Sequence, residues 1–180
     1  MNGKRETANI VFAALFTAVI AIISQLYIVT PMGIPITLQT FAVSLCGYFL
    51  GAKWGAASIL VYIAAGGMGL PVFSGFQGGL QHILSPTGGF IIGFIFLVVF
   101  CGALSKSKTK YLRIFGGISG IIVCHIAGTL QFALVTGTPL AAAFVAASLP
   151  FLLKDIICVI IAFTVSVYMK KLISKYSKNA

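Results

Sequence analysis

The sequence predicts an all-α membrane protein, six transmembrane helices with both termini cytoplasmic. Three observations carry that prediction. Hydrophobic residues make up 59% of the 180 and charged residues only 8%, with a mean hydropathy of +1.10, the composition of a polytopic membrane protein. The apolar residues fall into runs of the length that crosses a bilayer as helix. Eleven of the twelve basic residues lie at a terminus or in every second connection. No polar stretch exceeds a short loop, so residues 1–180 read as a single domain.

The elements follow in order. Residues 1–7 form a polar tail with Lys4, Arg5 and Glu6, and residues 8–29 are the first span. A positive start before an apolar run also fits a signal peptide. The run is long for that, and Ser24-Gln25-Leu26-Tyr27 offers no small-x-small cleavage pattern, so the helix is expected to be retained. Pro31, Gly33 and Pro35 make a tight uncharged turn. Residues 36–51 are the second span, with Thr37, Gln39 and Thr40 at its entry and Lys53-Trp54 after it as an interfacial pair. Residues 55–66 are the third, short unless it continues through 67–70. A long uncharged connection, 67–86, leads to the fourth span at 87–104. Residues 105–113 are a basic loop, 114–136 the fifth span, and 137–149 an alanine-rich connection open to a partial helix. Residues 150–172 are the sixth span, before a tail with Lys170, Lys171, Lys175 and Lys178.

The charge pattern tests the count. A balance of +10 in a soluble chain would point to nucleic acid. Here the basic residues sit between apolar runs, so the lipid bilayer is the expected partner and no nucleic acid is. Six spans place both termini, the Lys53 turn and the 105–113 loop on one face, which the positive-inside rule makes cytoplasmic. An odd number would scatter the lysines over both faces. Lys154, at the start of the sixth span, is the exception.

The same topology gathers the unusual polarity at the outer face: Gln39, Gln77, Gln81, His82, Thr87, Lys154 and Asp155. Asp155 is one of only two acidic residues and the only one outside the N-terminal tail. An ionised side chain in hydrocarbon costs about 2.5–3.5 kcal/mol on insertion scales, so such a group normally faces a partner, an ion or a substrate. Asp155 is therefore the expected anchor of a small-molecule site. The connection at 67–86 is too apolar for a solvated linker and reads as a lid or re-entrant loop, because irregular backbone at membrane depth must be satisfied by protein or a wet cavity. His125 and Gln131 face inward by the same cost, yet hydrogen bonding between helices explains them as well. His125 lies near the middle of its span, deeper than an outer pocket is expected to reach. Cys46, Cys101, Cys124 and Cys158 have no metal-ligand spacing and read as small buried residues. No metal or cofactor is expected. Asp155, His82 and His125 match no nucleophile-and-base or metal pattern, which argues against an enzyme. One aspartate and no evident repeat argue against a stand-alone secondary transporter.

Leu70-Pro71-Val72-Phe73 with Gly75 and Gly78-Gly79, followed by Ser85-Pro86-Thr87-Gly88-Gly89-Phe90-Ile91-Ile92-Gly93, resembles the signature of BioY, the biotin-specific S component of energy-coupling-factor (ECF) transporters. Ile34-Pro35-Ile36-Thr37-Leu38-Gln39-Thr40 and Leu149-Pro150-Phe151 with Asp155 fit the same family, so the resemblance covers nearly the whole chain. It implies a six-helix S-component fold in the bacterial plasma membrane that captures biotin outside the cell. It also implies partners, a transmembrane coupling subunit and two ATPases, since this chain has no phosphate-binding GxxxxGK[ST] loop. The substrate residues expected on this basis are Asp155, Lys154, Cys158, Gln39, Phe73, Gln77, His82, Thr87, Gly88 and Phe90. Asp155 would accept from the ureido N–H as a charge-assisted hydrogen bond, and Phe73, Phe76 and Phe90 would cover the ring. Bland alternatives stand beside these: Thr37 and Gln39 as helix caps, Phe90 as packing.

The sequence departs from the family at Cys158, where a lysine usually follows the aspartate by three residues. Lys154 stands one turn away on the same stripe and could supply the cation; the alternative is a lysine snorkelling to the outer headgroups. The departure leaves lipoate or dethiobiotin as alternative cargo. Ala14-x-x-x-Ala18 in the first span makes a smooth stripe where another backbone can approach. In the family such a pattern meets the coupling subunit; internal packing is the other use, as expected for Gly47/Gly51, Gly89/Gly93 and Gly116/Gly120.

Overall fold

The computed structural model describes residues 2–29 and 34–179, apart from the side chains of Asn2, Lys4, Arg5 and residues 176–179. Pro31 and Gly33 of the expected turn lie outside the described residues. The chain runs α1 (Asn2–Ser24), β1 (Tyr27–Val29), β2 (Pro35–Thr37), α2 (Gln39–Leu50), α3 (Ala52–Gly67), α4 (Leu80–Ile83), α5 (Gly88–Ala103), α6 (Lys110–Thr136), α7 (Leu140–Ala147) and α8 (Leu149–Asn179). Within α1, α6 and α8, the stretches Glu6–Ser24, Lys110–Thr136 and Leu149–Lys175 are each long and apolar enough to cross a membrane.

Several sequence expectations are corrected. The fold is not purely helical, because Tyr27–Val29 and Pro35–Thr37 pair antiparallel, Ile28 opposite Ile36. The first helix consequently stops at Ser24 rather than continuing to residue 29. Backbone N–H groups of Gln25 and Leu26 bond back to Ile22 and Ile23, tightening the last turn before the strand departs. The second helix loses its expected first turn to β2 and starts at Gln39. The third helix starts earlier, at Ala52, immediately after Gly51 (φ 80°) reverses the chain. The 105–113 loop is shorter than expected, since α6 already begins at Lys110. The alanine-rich connection forms α7, and the last helix runs on to Asn179.

Helix α2 is the centre of the molecule. It touches α1, α3, α5 and α8, and nine of its twelve residues are buried. A helix buried all round carries small and polar residues only where neighbours accept them, and close approach explains its glycine. A Cβ on Gly47 would lie 2.6 Å from the Val98 carbonyl of α5. The α5–α6 pair packs by the same device from both sides. Gly89 and Gly93 admit the α6 backbone at Ala127 and Cys124, and Gly116 and Gly120 admit α5 at Phe100 and Leu97. Small residues let backbones meet where van der Waals contact is the chief attraction.

The two ends of the bundle differ in charge. One end collects the last turns of α1, α3 and α6 with the first turns of α2, α5 and α8, joined by bonds such as Ser24 Oγ to Val72 O and Lys154 Nζ to Thr37 O. At the other end Tyr48 donates to Arg113 O and Lys170 donates to Tyr48 O. Lys53, Arg113, Lys170, Lys171, Lys175 and the lysines from 106 to 110 sit on elements of this second end. Lys154 alone is basic at the first.

Phe73 plugs the first end. Its side chain is fully buried, edge-on to Tyr62 and stacked on His82 at 5.2 Å. Gly66 makes room for it, since a Cβ there would fall 2.2 Å from the ring. Gly66→Ala is expected to lose about 1–3 kcal/mol through overpacking and to displace Phe73. A lowered melting midpoint of the purified protein checks this, with Gly3→Ala, whose Cβ meets nothing, as the neutral control.

Candidate functional site

A pocket opens at the end where Lys154 lies. Its floor and walls come from α2, α5, α6 and α8, and its outer rim from the β1–β2 hairpin and the connection after α3. The space, counted out to the mouth with the open solvent there included, is about 730 Å³. Phe73, Phe90, Phe94, Leu97, Ile121 and Phe151 make the apolar wall, and a few polar groups converge from one side.

Those polar groups centre on Asp155, which is 6% exposed. Its Oδ2 lies 3.1 Å from His125 Nε2, and its Oδ1 faces Lys154 Nζ as an ion pair at 2.5 Å. The Lys154 ammonium also donates to Thr37 O at 2.8 Å, holding the hairpin against α8. Two buried atoms in this group lack a well-directed hydrogen bond among the described residues, Asp155 Oδ1 and His125 Nδ1. Asp155 Oδ1 accepts, and because His125 Nε2 donates to the carboxylate, Nδ1 of the neutral imidazole accepts as well. Such a pair suits a ligand edge that donates, such as the N–H groups of an amide or ureido ring.

A second network builds the rim. Gln39 donates to the Tyr62 hydroxyl at 2.8 Å, and its Oε1 accepts from Thr37 and Ser74. Tyr62 and Ser24 both donate to Val72 O. Gln25 donates to Phe73 O and accepts from Phe76 N. The apolar connection expected to be a lid is therefore strapped to the end of α1 and to α3 through its backbone, and to α2 through the Ser74 hydroxyl. His82, on the short α4, lines the pocket beneath Phe73. Its partial burial holds the imidazole below its ordinary value, hence neutral at pH 7.

Of the residues singled out from sequence, Asp155, Lys154, Gln39, Phe73, His82, Thr87 and Phe90 line this pocket. Gln77, Cys158 and Gly88 do not. Gln77 bridges to Phe73 through the backbone and points outward. Cys158 is buried one turn beyond Asp155, behind the lining. Gly88 shapes the site without touching it, as a Cβ there would collide with the Ile83 carbonyl. Phe76 is 70% exposed with φ 57°, on the outside of the strap. The expectation that His125 lies too deep is corrected: it lines the pocket and holds Asp155. Thr37, Thr40, Ser74 and Phe151 complete the lining. Gln131 is structural, donating to Ile83 O and Ser85 O and so closing the turn before α5. Thr37 does cap α2, its hydroxyl accepting from the Gln39 backbone N–H, and it also donates to Gln39 Oε1, so the two residues open the helix and line the pocket at once.

With the geometry in place, the likeness to known proteins can be set against it. A model of the BioY family matches residues 1–175. The protein named probable biotin transporter BioY of Pyrococcus horikoshii is 38% identical over 84% of this chain and 90% of its own. The biotin transporter BioY of Thermotoga maritima is 33% identical over 91% and 96%. Among solved structures, the S-component for biotin from an ECF-type ABC transporter superimposes with a TM-score of 0.87, covering 95% of each chain at 24% identity, which fixes the S-component fold. The family match and these identities show that the chain belongs to the BioY family.

Proposed function

We propose that this chain is the substrate-binding S component of an ECF-type transporter, capturing biotin at the outer face of the membrane for ATP-driven uptake. The observation that carries the reading is the Lys154–Asp155–His125 cluster facing the aromatic wall of the pocket, in a chain of this family. Asp155 accepts a ureido N–H, His125 Nδ1 meets the same edge, and Phe73, Phe90 and Phe151 enclose the fused ring. No bond is broken, so the protein is not an enzyme; a coupling subunit and two ATPases, as the family resemblance implies, supply the work.

The single domain spans the membrane six times with both termini cytoplasmic. Support comes from the segregation of basic residues to the end opposite the pocket. Helices α2, α3 and α5, at 12, 16 and 16 residues, are shorter than the ~20 residues a full crossing needs. They cross as members of the bundle, with the hairpin and strap filling the outer layer.

Lys154, rather than the residue at 158, supplies the cation of the site. Its ammonium is inside the pocket while Cys158 lies behind the lining. Lipoate and dethiobiotin are the alternative cargo that this rearrangement leaves in play.

The Ala14/Ala18 stripe is the docking surface for the coupling subunit. Both alanines are exposed on α1 beside Val11 and Leu15, while Ala13 and Phe16 face the core. Internal packing therefore does not use that stripe.

Asp155→Asn is expected to weaken biotin binding at least tenfold, about 1.4 kcal/mol, with the fold intact; calorimetry on the purified protein reads it, and unchanged affinity would remove Asp155 from the site. A panel with lipoate and dethiobiotin in the same titrations decides the cargo. Lys154→Ala should weaken the free acid more than its amide, whereas equal loss would mean that Lys154 acts only through Asp155 and Thr37. Ala14→Leu should impair co-purification with the coupling subunit and leave ligand affinity unchanged; loss of both would place the stripe inside the fold.

A further inference from the structure

At the end of the bundle opposite the pocket, a second cleft opens between α2, α6 and α8. Arg113, Lys170, Tyr48, Ser105, Ser166 and Phe163 line it, and its space counted to the mouth is about 480 Å³. Among the described residues no ion pair reaches its cations. Of the two acidic residues, Asp155 is paired at the far end and Glu6, on α1, pairs with neither Arg113 nor Lys170.

The cations are held in place while most of their donors stay uncommitted. Arg113 uses its Nε toward Ser107 O at 2.7 Å, leaving the outer nitrogens of the fork. Lys170 spends one of three donors on Tyr48 O at 2.7 Å. These backbone anchors fix both side chains at the mouth before any ligand arrives, which lowers the entropy lost on binding. The required ligand group is an anion with several acceptor oxygens, and a guanidinium fork matches phosphate geometry bidentately. Phe163 and Val167 of α8 give the cleft an apolar strip beside the hydroxyl-bearing Tyr48, Ser105 and Ser166. A phosphate oxygen set beside an apolar strip describes an amphiphile better than a free ion.

We propose that the Arg113–Lys170 cleft binds the phosphate of an anionic phospholipid at the cytoplasmic surface of the membrane. Basic pockets between transmembrane helices on that side are suited to such headgroups. The leaflet rests on the orientation proposed above; the chemistry does not. A bound lipid would bridge α6 and α8 at the end of the molecule that faces the cytoplasm, where neither helix is held by an acidic partner.

The test uses the purified full chain in neutral detergent, with native mass spectrometry counting retained phosphatidylglycerol against phosphatidylcholine of equal chain length. Biotin titration of the same samples reports separately on the outer pocket, so failure of one reading is distinguishable from failure of the other. Phosphatidylglycerol is expected to be retained at least fivefold over phosphatidylcholine, and Arg113→Gln with Lys170→Gln should abolish that preference. The control pair Lys4→Gln with Lys53→Gln removes equal charge from α1 and α3, whose described residues do not line the cleft, and should keep it. If the double variant does not purify, each single variant should lose about half of the preference. Persistence of the preference in the variants, or its equal loss in the control pair, overturns the site. Inorganic phosphate raising the melting midpoint as much as phosphatidylglycerol would make the cleft a free-anion site and overturn the lipid assignment. So would a double variant that keeps its lipid but no longer assembles with the coupling subunit.

Discussion

A carboxylate inside an apolar bundle has to be neutralised where it stands, and this constraint shapes the whole outer half of the molecule. Attraction between unit charges 4 Å apart rises from about 1 kcal/mol in water to about 4 at an effective dielectric of 20. Asp155 captures that gain with Lys154 on one oxygen, while His125 hydrogen-bonds the other. Because Lys154 also bonds Thr37 O, one charge fixes the relative positions of α8, α6 and the hairpin. Breaking such a buried pair from one side leaves an uncompensated ion, a loss of about 3–5 kcal/mol. The cluster that lines the pocket therefore also fixes its shape.

The rim obeys the same rule with neutral groups. An apolar strap such as Leu70–Phe76 cannot satisfy its own amides, and in a bilayer it cannot borrow water freely. Ser24, Gln25 and Tyr62 supply the missing partners at Val72 O, Phe73 O and Phe76 N, and Gln39 holds Tyr62 and the Ser74 hydroxyl in place. Polar residues that look expensive in apolar spans are thus accounted for in groups, by the strap's backbone or by each other. The ring of Phe73 can then point inward, under Gly66 and against His82, as part of the binding surface.

Much of this was legible from the residues. The lone acid, the Gly/Pro-rich connection and the two-sided charge pattern point to one site at one end, and Asp155, Lys154, Gln39, Phe73, His82, Thr87 and Phe90 do converge there. Gly89/Gly93 and Gly116/Gly120 were legible as packing, since spacing identifies a smooth helix face; in Gly47/Gly51 only Gly47 packs, and Gly51 turns the chain at φ 80°. The hairpin was not. Ile28, Val29 and Ile36 are as apolar as the spans beside them, and a short apolar run cannot be divided between strand and helix by periodicity. Gln77 misled for a related reason: polarity near a site says nothing about which side of a turn the residue faces. The match of Cys158 to a family lysine set a sequence position against a cavity whose boundary only packing decides.

His125 shows how the missed strands propagate into the chemistry. Depth in a bundle reads naturally as distance from the helix end, and His125 lies 11 residues before Thr136, about 16 Å along the axis at 1.5 Å per residue. That reckoning assumes every helix reaches the same surface. Here α2 does not: β2 takes its expected first turn, and the helix starts at Gln39, level with the Tyr62 hydroxyl of α3. The outer layer beside α6 is therefore hairpin and strap, and the pocket sinks beneath them to the level of His125 and Asp155. A strand pairing at one edge thus lowers the floor of the site, and turns a histidine that looks buried in mid-span into one of its walls.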